Sequence, residues 1–149
     1  MRLIITGHRE EKLQTYDVNW INNSINKWIN ILHVERGISI AYSGMASGVE
    51  LWFCEACLMD QIPYIACVPF EEQDHYMNEE TKTLRSNVLR LAKEIISVRN
   101  SWMVEHCDYA MVVWDGNKGG THNVVQQLIE KNIPFLWINP VGKKIWKCE

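Results

Sequence analysis

The chain has 149 residues, 47% of them hydrophobic and 22% charged, with 15 basic against 18 acidic side chains. That balance excludes a disordered tail protein and supplies apolar material for one core at the usual size of a single domain. A net charge of −3 argues against a non-specific nucleic-acid binder, which needs a broad excess of Lys and Arg.

No apolar run approaches the roughly 18 residues of a membrane span. Met1–Ile5 meets Thr6-Gly7-His8-Arg9 too early to supply the apolar region of a signal peptide. Five cysteines without framework spacing suit a reducing compartment, so a cytoplasmic protein with no membrane attachment is expected.

Short apolar runs alternate with segments of helical period. Arg2–Thr6 reads as a buried strand ending at Gly7. From Asp17 to about Leu32, apolar residues recur at Val18, Ile21, Ile25, Trp28, Ile29 and Leu32, the spacing of one helix face. A strand at Ile38–Tyr42 is closed by Ser43-Gly44, a helix covers Val49–Asp60, and a strand follows at Tyr64–Val68. Thr81–Lys93 carries Leu84, Val88 and Leu91 on one helical face, and Glu94–Val98 is a short strand. The chain then gives a brief helix at Ser101–His106, a strand at Tyr109–Trp114, a helix at Thr121–Lys131 and a strand at Pro134–Ile138.

Nearly continuous apolar strands separated by helices require a mostly parallel sheet covered on both faces. The expectation is a single α/β, Rossmann-like domain over 1–149, with its core in 1–139 and a polar tail in 140–149. The seven tryptophans, Trp28 and Trp137 among them, read chiefly as core, although Trp and Tyr also suit the interface of a homodimer.

In such sheets ligands bind outside the carboxyl ends of the strands. The least ordinary residues of this chain fall there. They are Gly7-His8-Arg9, the stretch Ser43-Gly44-Met45-Ala46-Ser47-Gly48, Pro69-Phe70, Arg99-Asn100, and Asp115 to Thr121. Gly44 and Gly48 flank small residues before one helix, and Gly119-Gly120-Thr121 opens another, so backbone N–H groups there can face a phosphate. Arg9 and Arg99 supply cations on the same rim.

Glu50 stands in a first helical turn, where the macrodipole favours a carboxylate. It is also a candidate acceptor for a ribose or a candidate catalytic group. Trp52 is its aromatic neighbour. Cys54-x-x-Cys57 lies inside a helix, and no second pair has zinc spacing, so neither a metal nor a cofactor is expected. Neither G-x-G-x-x-G nor a P-loop is present.

These motifs, in this order, resemble the SLOG superfamily, and within it the YpsA/YspA-like branch with bacterial and phage-borne members. The likeness runs from residue 1 to about 139. It implies a Rossmann-like fold with a nucleotide or nucleotide-derived ligand on the rim just described.

LOG phosphoribohydrolases of the superfamily carry P-G-G-x-G-T-x-x-E. Here Lys118-Gly119-Gly120-Thr121-His122-Asn123-Val124 lacks the Pro, the interior Gly and the catalytic Glu, and Val124 stands near that Glu's place. The expected function is therefore binding of a nucleotide or an ADP-ribose-like ligand, as sensor or sequestering module. The alternative is an N-glycoside hydrolase using Glu50 or Asp115. DprA, another relative, binds single-stranded DNA, against which the acidic balance argues here.

Overall fold

The apolar runs pair edge to edge, as their lack of polar alternation demands. A computed structural model describes residues 1–149. Its elements are β1 (Arg2–Gly7), α1 (Glu10–Leu13), α2 (Val18–Arg36), β2 (Ile40–Ser43), α3 (Val49–Met59), β3 (Tyr64–Cys67), α4 (Glu79–Leu91), β4 (Glu94–Ile96), α5 (Asn100–His106), β5 (Tyr109–Val113), α6 (Gly120–Glu130), β6 (Phe135–Asn139) and β7 (Lys144–Cys148). One sheet carries all the strands in the order β4-β3-β2-β1-β5-β6-β7. Every neighbouring pair is parallel except β6 with β7. The α/β, Rossmann-like architecture is as expected.

Strand alternation splits the core between the two faces. Leu3 and Ile5 of β1 join a cluster of 25 buried residues with α2 and α3, while Ile4 joins a cluster of 13 with α5 and α6. Along α2, Ile21, Ile25, Ile29 and Leu32 recur three or four residues apart and are all fully buried. Each such side chain contributes roughly 1.5–3 kcal/mol over its exposed state. Six of the seven tryptophans pack on the two clusters, and the seventh, Trp146, lies 4.7 Å from Trp137, ring centroid to centroid. Packing on the core thus accounts for six of them, with Trp114 buried outright, while Trp146 stays 41% exposed. No helix is long and apolar enough to cross a membrane.

Several boundaries differ from the periodicity. Helix α2 runs past Leu32 because nothing stops it before Gly37, which takes a φ of 72° and donates its N–H to the His33 carbonyl. Helix α4 starts at Glu79 because the Asn78 side chain accepts from the Thr81 N–H at 2.8 Å. The single turn α1 has no counterpart in the sequence pattern; four residues give no period, yet its Leu13 is fully buried.

The largest correction concerns the tail. Residues 144–148 pair antiparallel with β6, from Asn139↔Lys144 to Phe135↔Cys148. Lys143 pairs with Asp17 at 2.8 Å, and Arg36 pairs with Glu149. The two lysines of Lys-Ile-Trp-Lys-Cys mask the strand, because an edge strand turns charge to solvent on purpose.

Deleting residues 140–149 should uncover Trp137 and the β6 edge. The expected cost is about 2–4 kcal/mol, seen as a melting temperature lower by about 10 °C. An unchanged melting temperature would remove β7 from the folded unit.

Candidate functional site

The sheet reverses direction at β1. The chain leaves β1 toward β2 on one side, while β5 lies on the other and leads outward to β6. Carboxyl ends that part in this way open a crevice. The crevice is present as a cleft of about 450 Å³. Its walls come from all five expected loops: Gly7, His8 and Arg9; Gly44, Ala46 and Glu50; Pro69 and Phe70; Asn100; and Gly119, Gly120 and Thr121.

The β1 and β5 loops are tied across its base. The His8 ring accepts the Asp115 backbone N–H on Nε2 at 3.0 Å and is 8% exposed. Burial lowers its pKa, outweighing the opposite pull of Asp115, so the ring is neutral at pH 7. An Nε2 that accepts carries no proton, which leaves the ring proton on Nδ1. The 3.2 Å approach of Nε2 to Asp115 Oδ1 is therefore a close contact and not an ion pair.

The Asp115 carboxylate itself is 1% exposed. It accepts from the Asn117 N–H at 3.0 Å and from the Tyr16 hydroxyl at 3.0 Å, and it pairs with Lys12 at 3.0 Å. Burial would raise its pKa, but these partners together hold it well below the ordinary carboxylate range. Asp115 is a fixed anion inside the loop and does not line the cleft.

The opposite wall is set by two glycines. A Cβ at Gly44 would fall on Glu50 Oε1, so a side chain there would displace the carboxyl from its present place beside the loop. Gly48 takes a φ of 83°, and a Cβ there would lie 2.8 Å from the Glu10 backbone nitrogen. Glu50 thereby projects from the first turn of α3 into the cleft. Burial pushes its pKa up to about 7, against weaker pulls from the Ala46 amide, the Arg9 guanidinium and the Gly44 amide.

The third wall is the start of α6. Gly119 caps the helix without a side-chain bond, and no acidic residue occupies the first turn. The N–H groups of Gly120, Thr121 and His122 precede the first intrahelical bond, which Asn123 donates to the Gly119 carbonyl. A Cβ at Gly120 would meet nothing within 4 Å. Lys118 and Arg9 border the same space, and neither takes part in an ion pair.

Other expected site residues turn away. Ser43 is fully buried, and its hydroxyl donates to the Glu50 carbonyl at 2.8 Å. Met45 points into the core against Cys54, and Trp52 packs on the larger cluster. Arg99 is exposed outside the cleft, because the turn into α5 gives the wall to Asn100.

The Cys54 and Cys57 thiols are buried in α3 and burial raises both, Cys54 to about 12, so neither forms a thiolate readily. Sequence reading misses Lys12 and Gln73 as site residues, and it places Asn117 and Lys118 on the rim without giving them a role. Lys12 and Gln73 lie in segments with no periodic signal. Asn117 and Lys118 stand inside a glycine turn whose backbone carries the stronger signal.

The YspA SLOG family profile matches residues 3–134. The chain belongs to that family. A relative, the SPbeta prophage-derived protein YoqJ of Bacillus subtilis strain 168, is 29% identical over an 85-residue alignment taking in 42% of this chain and 50% of YoqJ. The fold is similar to DNA processing protein A from Helicobacter pylori, with a TM-score of 0.62 at 15% identity over 92% of this chain and 64% of that one. The Streptococcus pneumoniae protein of the same name gives 0.62 at 14% identity, over 91% and 49%. This chain thus spans about half to two thirds of the length of these relatives, and the two structural likenesses establish the fold alone.

An unfolded chain releases the Glu50 proton near the ordinary 4.5 and the folded one near 7. Between those values the native state binds more protons, so stability contributed by Glu50 falls as pH rises. Glu50→Gln should remove that slope and leave the variant more stable than the parent at pH 8 by on the order of 1–2 kcal/mol. Parallel stability curves for the two proteins from pH 4.5 to 8 would show that the carboxyl is solvated.

Proposed function

We propose that this YspA SLOG family member binds a nucleotide or nucleotide-derived ligand in the cleft, as a sensing or sequestering module. The observation that carries the reading is the uncapped start of α6. Its free N–H groups lie beside two cations without ion pairs, Arg9 and Lys118, where nothing fills the space next to Gly120. Anions favour that environment through both hydrogen bonding and the helix dipole.

DNA processing protein A of Helicobacter pylori has a single-stranded DNA binding mode, which supports a nucleotide-type ligand for the shared fold. For this chain a mononucleotide-sized ligand suits the net charge of −3 and a cleft of about 450 Å³ better than an extended strand. ADP-ribose-like compounds belong in the same ligand class.

A second reading, N-glycoside hydrolysis, is favoured by one observation. Glu50 is a cleft carboxyl that keeps its proton up to about pH 7, which a general acid requires. Free base released from a nucleotide by the parent, and not by Glu50→Gln, would establish that reading. Intact nucleotide recovered from a saturated protein favours binding alone.

Calorimetry with a nucleotide panel tests the main reading. Gly120→Asp adds both a side chain and a like charge where the phosphate would sit, so binding should be lost. The backbone there is not in the left-handed region and the Cβ is unobstructed, so the fold should survive. Lys118→Ala should weaken binding by roughly 1.5–3 kcal/mol, the value of a charge-assisted bond, while Arg99→Ala should leave it unchanged. Folded Gly120→Asp protein with the parent's affinity would refute the assignment.

A further inference from the structure

Past Phe70 the cleft continues into a second cavity of about 510 Å³ that shares Arg9, Ala46, Phe70 and Gln73 with it. The two differ in chemistry. The cleft holds the glycine turn, Lys118 and His122, whereas the second cavity has neither lysine nor glycine, adds His75, Tyr76 and Met77, and carries the carboxylates Glu11 and Glu72, which disfavour a phosphate there and leave it to the cleft. Phe70 is 51% and Tyr76 93% exposed, so both rings stand uncovered at its walls.

The partition between the two spaces is fixed. Gln73 donates from Nε2 to the Gly44 carbonyl at 2.6 Å and accepts on Oε1 from Arg85 Nη2 at 2.9 Å. A guanidinium only donates, so Arg85 sets which end of the amide faces which way. Arg85 is 8% exposed, and its Nε has no hydrogen-bond partner. The fold thus retains a buried cation, costly in itself, whose visible contact holds this partition in place.

Polarity therefore changes along one continuous space, from an anion-binding end to an aromatic end. Resting on the nucleotide reading of the cleft, we infer that the second cavity receives the ligand's nucleobase while its phosphate lies at Gly119–Thr121. The ligand class is then a base-bearing nucleotide, not a sugar phosphate or a free phosphate. Stacking suits the uncovered rings because a base presents a flat face to Phe70 or Tyr76 and keeps its polar edge for Gln73 and Ser47.

The test is calorimetry with AMP, GMP, CMP, UMP and ribose 5-phosphate on the parent, Phe70→Ala, Tyr76→Ala and Gly120→Asp. At least one mononucleotide should bind the parent about tenfold or more tightly than ribose 5-phosphate. Tyr76→Ala, which lies outside the cleft, should erase most of that preference while leaving ribose 5-phosphate affinity as it was, and Phe70→Ala should weaken the mononucleotide by several-fold more than it weakens ribose 5-phosphate. Gly120→Asp should weaken both ligands. Both aromatic side chains are exposed, so circular dichroism should show unchanged folding in their variants.

Equal parent affinities for mononucleotides and ribose 5-phosphate would overturn this inference and leave the phosphate site standing. So would aromatic variants that keep the full preference. A folded parent that binds none of the five would refute the nucleotide reading and this inference with it.

Discussion

Everything on the rim depends on how the sheet closes its own gap. β1 and β5 are neighbours by hydrogen bonding, but their following loops leave for opposite halves of the fold. The contact that holds those loops together is the bond from the Asp115 N–H to His8 Nε2. It works only with a neutral imidazole, and burial ensures one. Asp115 then gathers Lys12 and Tyr16 from the chain just after β1, so both sides of the crevice become one rigid piece. A charge buried this well is tolerable only because every partner donates to it.

On that base the two glycines keep side chains out of space that their neighbours already occupy. Gly48 exists because the backbone at Glu10 passes within the reach of a Cβ, a close approach produced by α1 lying over the start of α3. Gly44 exists because the Glu50 carboxyl occupies the space of its missing side chain. The stretch read as a phosphate cradle is thus also a packing joint. Its small residues let a carboxyl into the cleft, while the free helix N-terminus and the unpaired cations gather at the other wall.

The sequence made the sheet, its parallel sense and the convergence of five loops legible because buried strands and βα turns leave strong local patterns. It also placed Glu50 and the Gly119–Thr121 turn on the rim. It could not distinguish a residue on the rim from a residue in the cleft. Ser43, Met45 and Trp52 stand within two residues of lining residues, but strand pleat and helix rotation send their side chains inward. Arg99 and Asn100 differ by one position, yet only the second reaches the wall. Lys12 and Gln73 were invisible for a related reason. Their roles come from partners far away in the chain, Asp115 and the Gly44 carbonyl, and pairing over such distances leaves no periodic trace.

The carboxyl groups bear on the two readings proposed above. Enzymes that cleave bonds between sugars commonly use two of them, one to donate a proton and one to act as base or nucleophile, and that division of labour is a useful comparison for this cleft. The position where a LOG enzyme would carry its Glu is near Val124, which is 3% exposed on the α6 face that packs into the core. Asp115 has its lone pairs engaged by Asn117, Tyr16 and Lys12, and it lies behind the wall. Glu50 is the carboxyl of the cleft itself, Glu11 and Glu72 lining the cavity beyond Phe70, and its pKa of about 7 gives it one proton to share near neutrality. A single protonated carboxyl can donate to a ribose hydroxyl or to a base. It cannot serve as acid and as charged stabiliser of the same sugar cation at once. One such group set across from an anion site supports the binding reading proposed above.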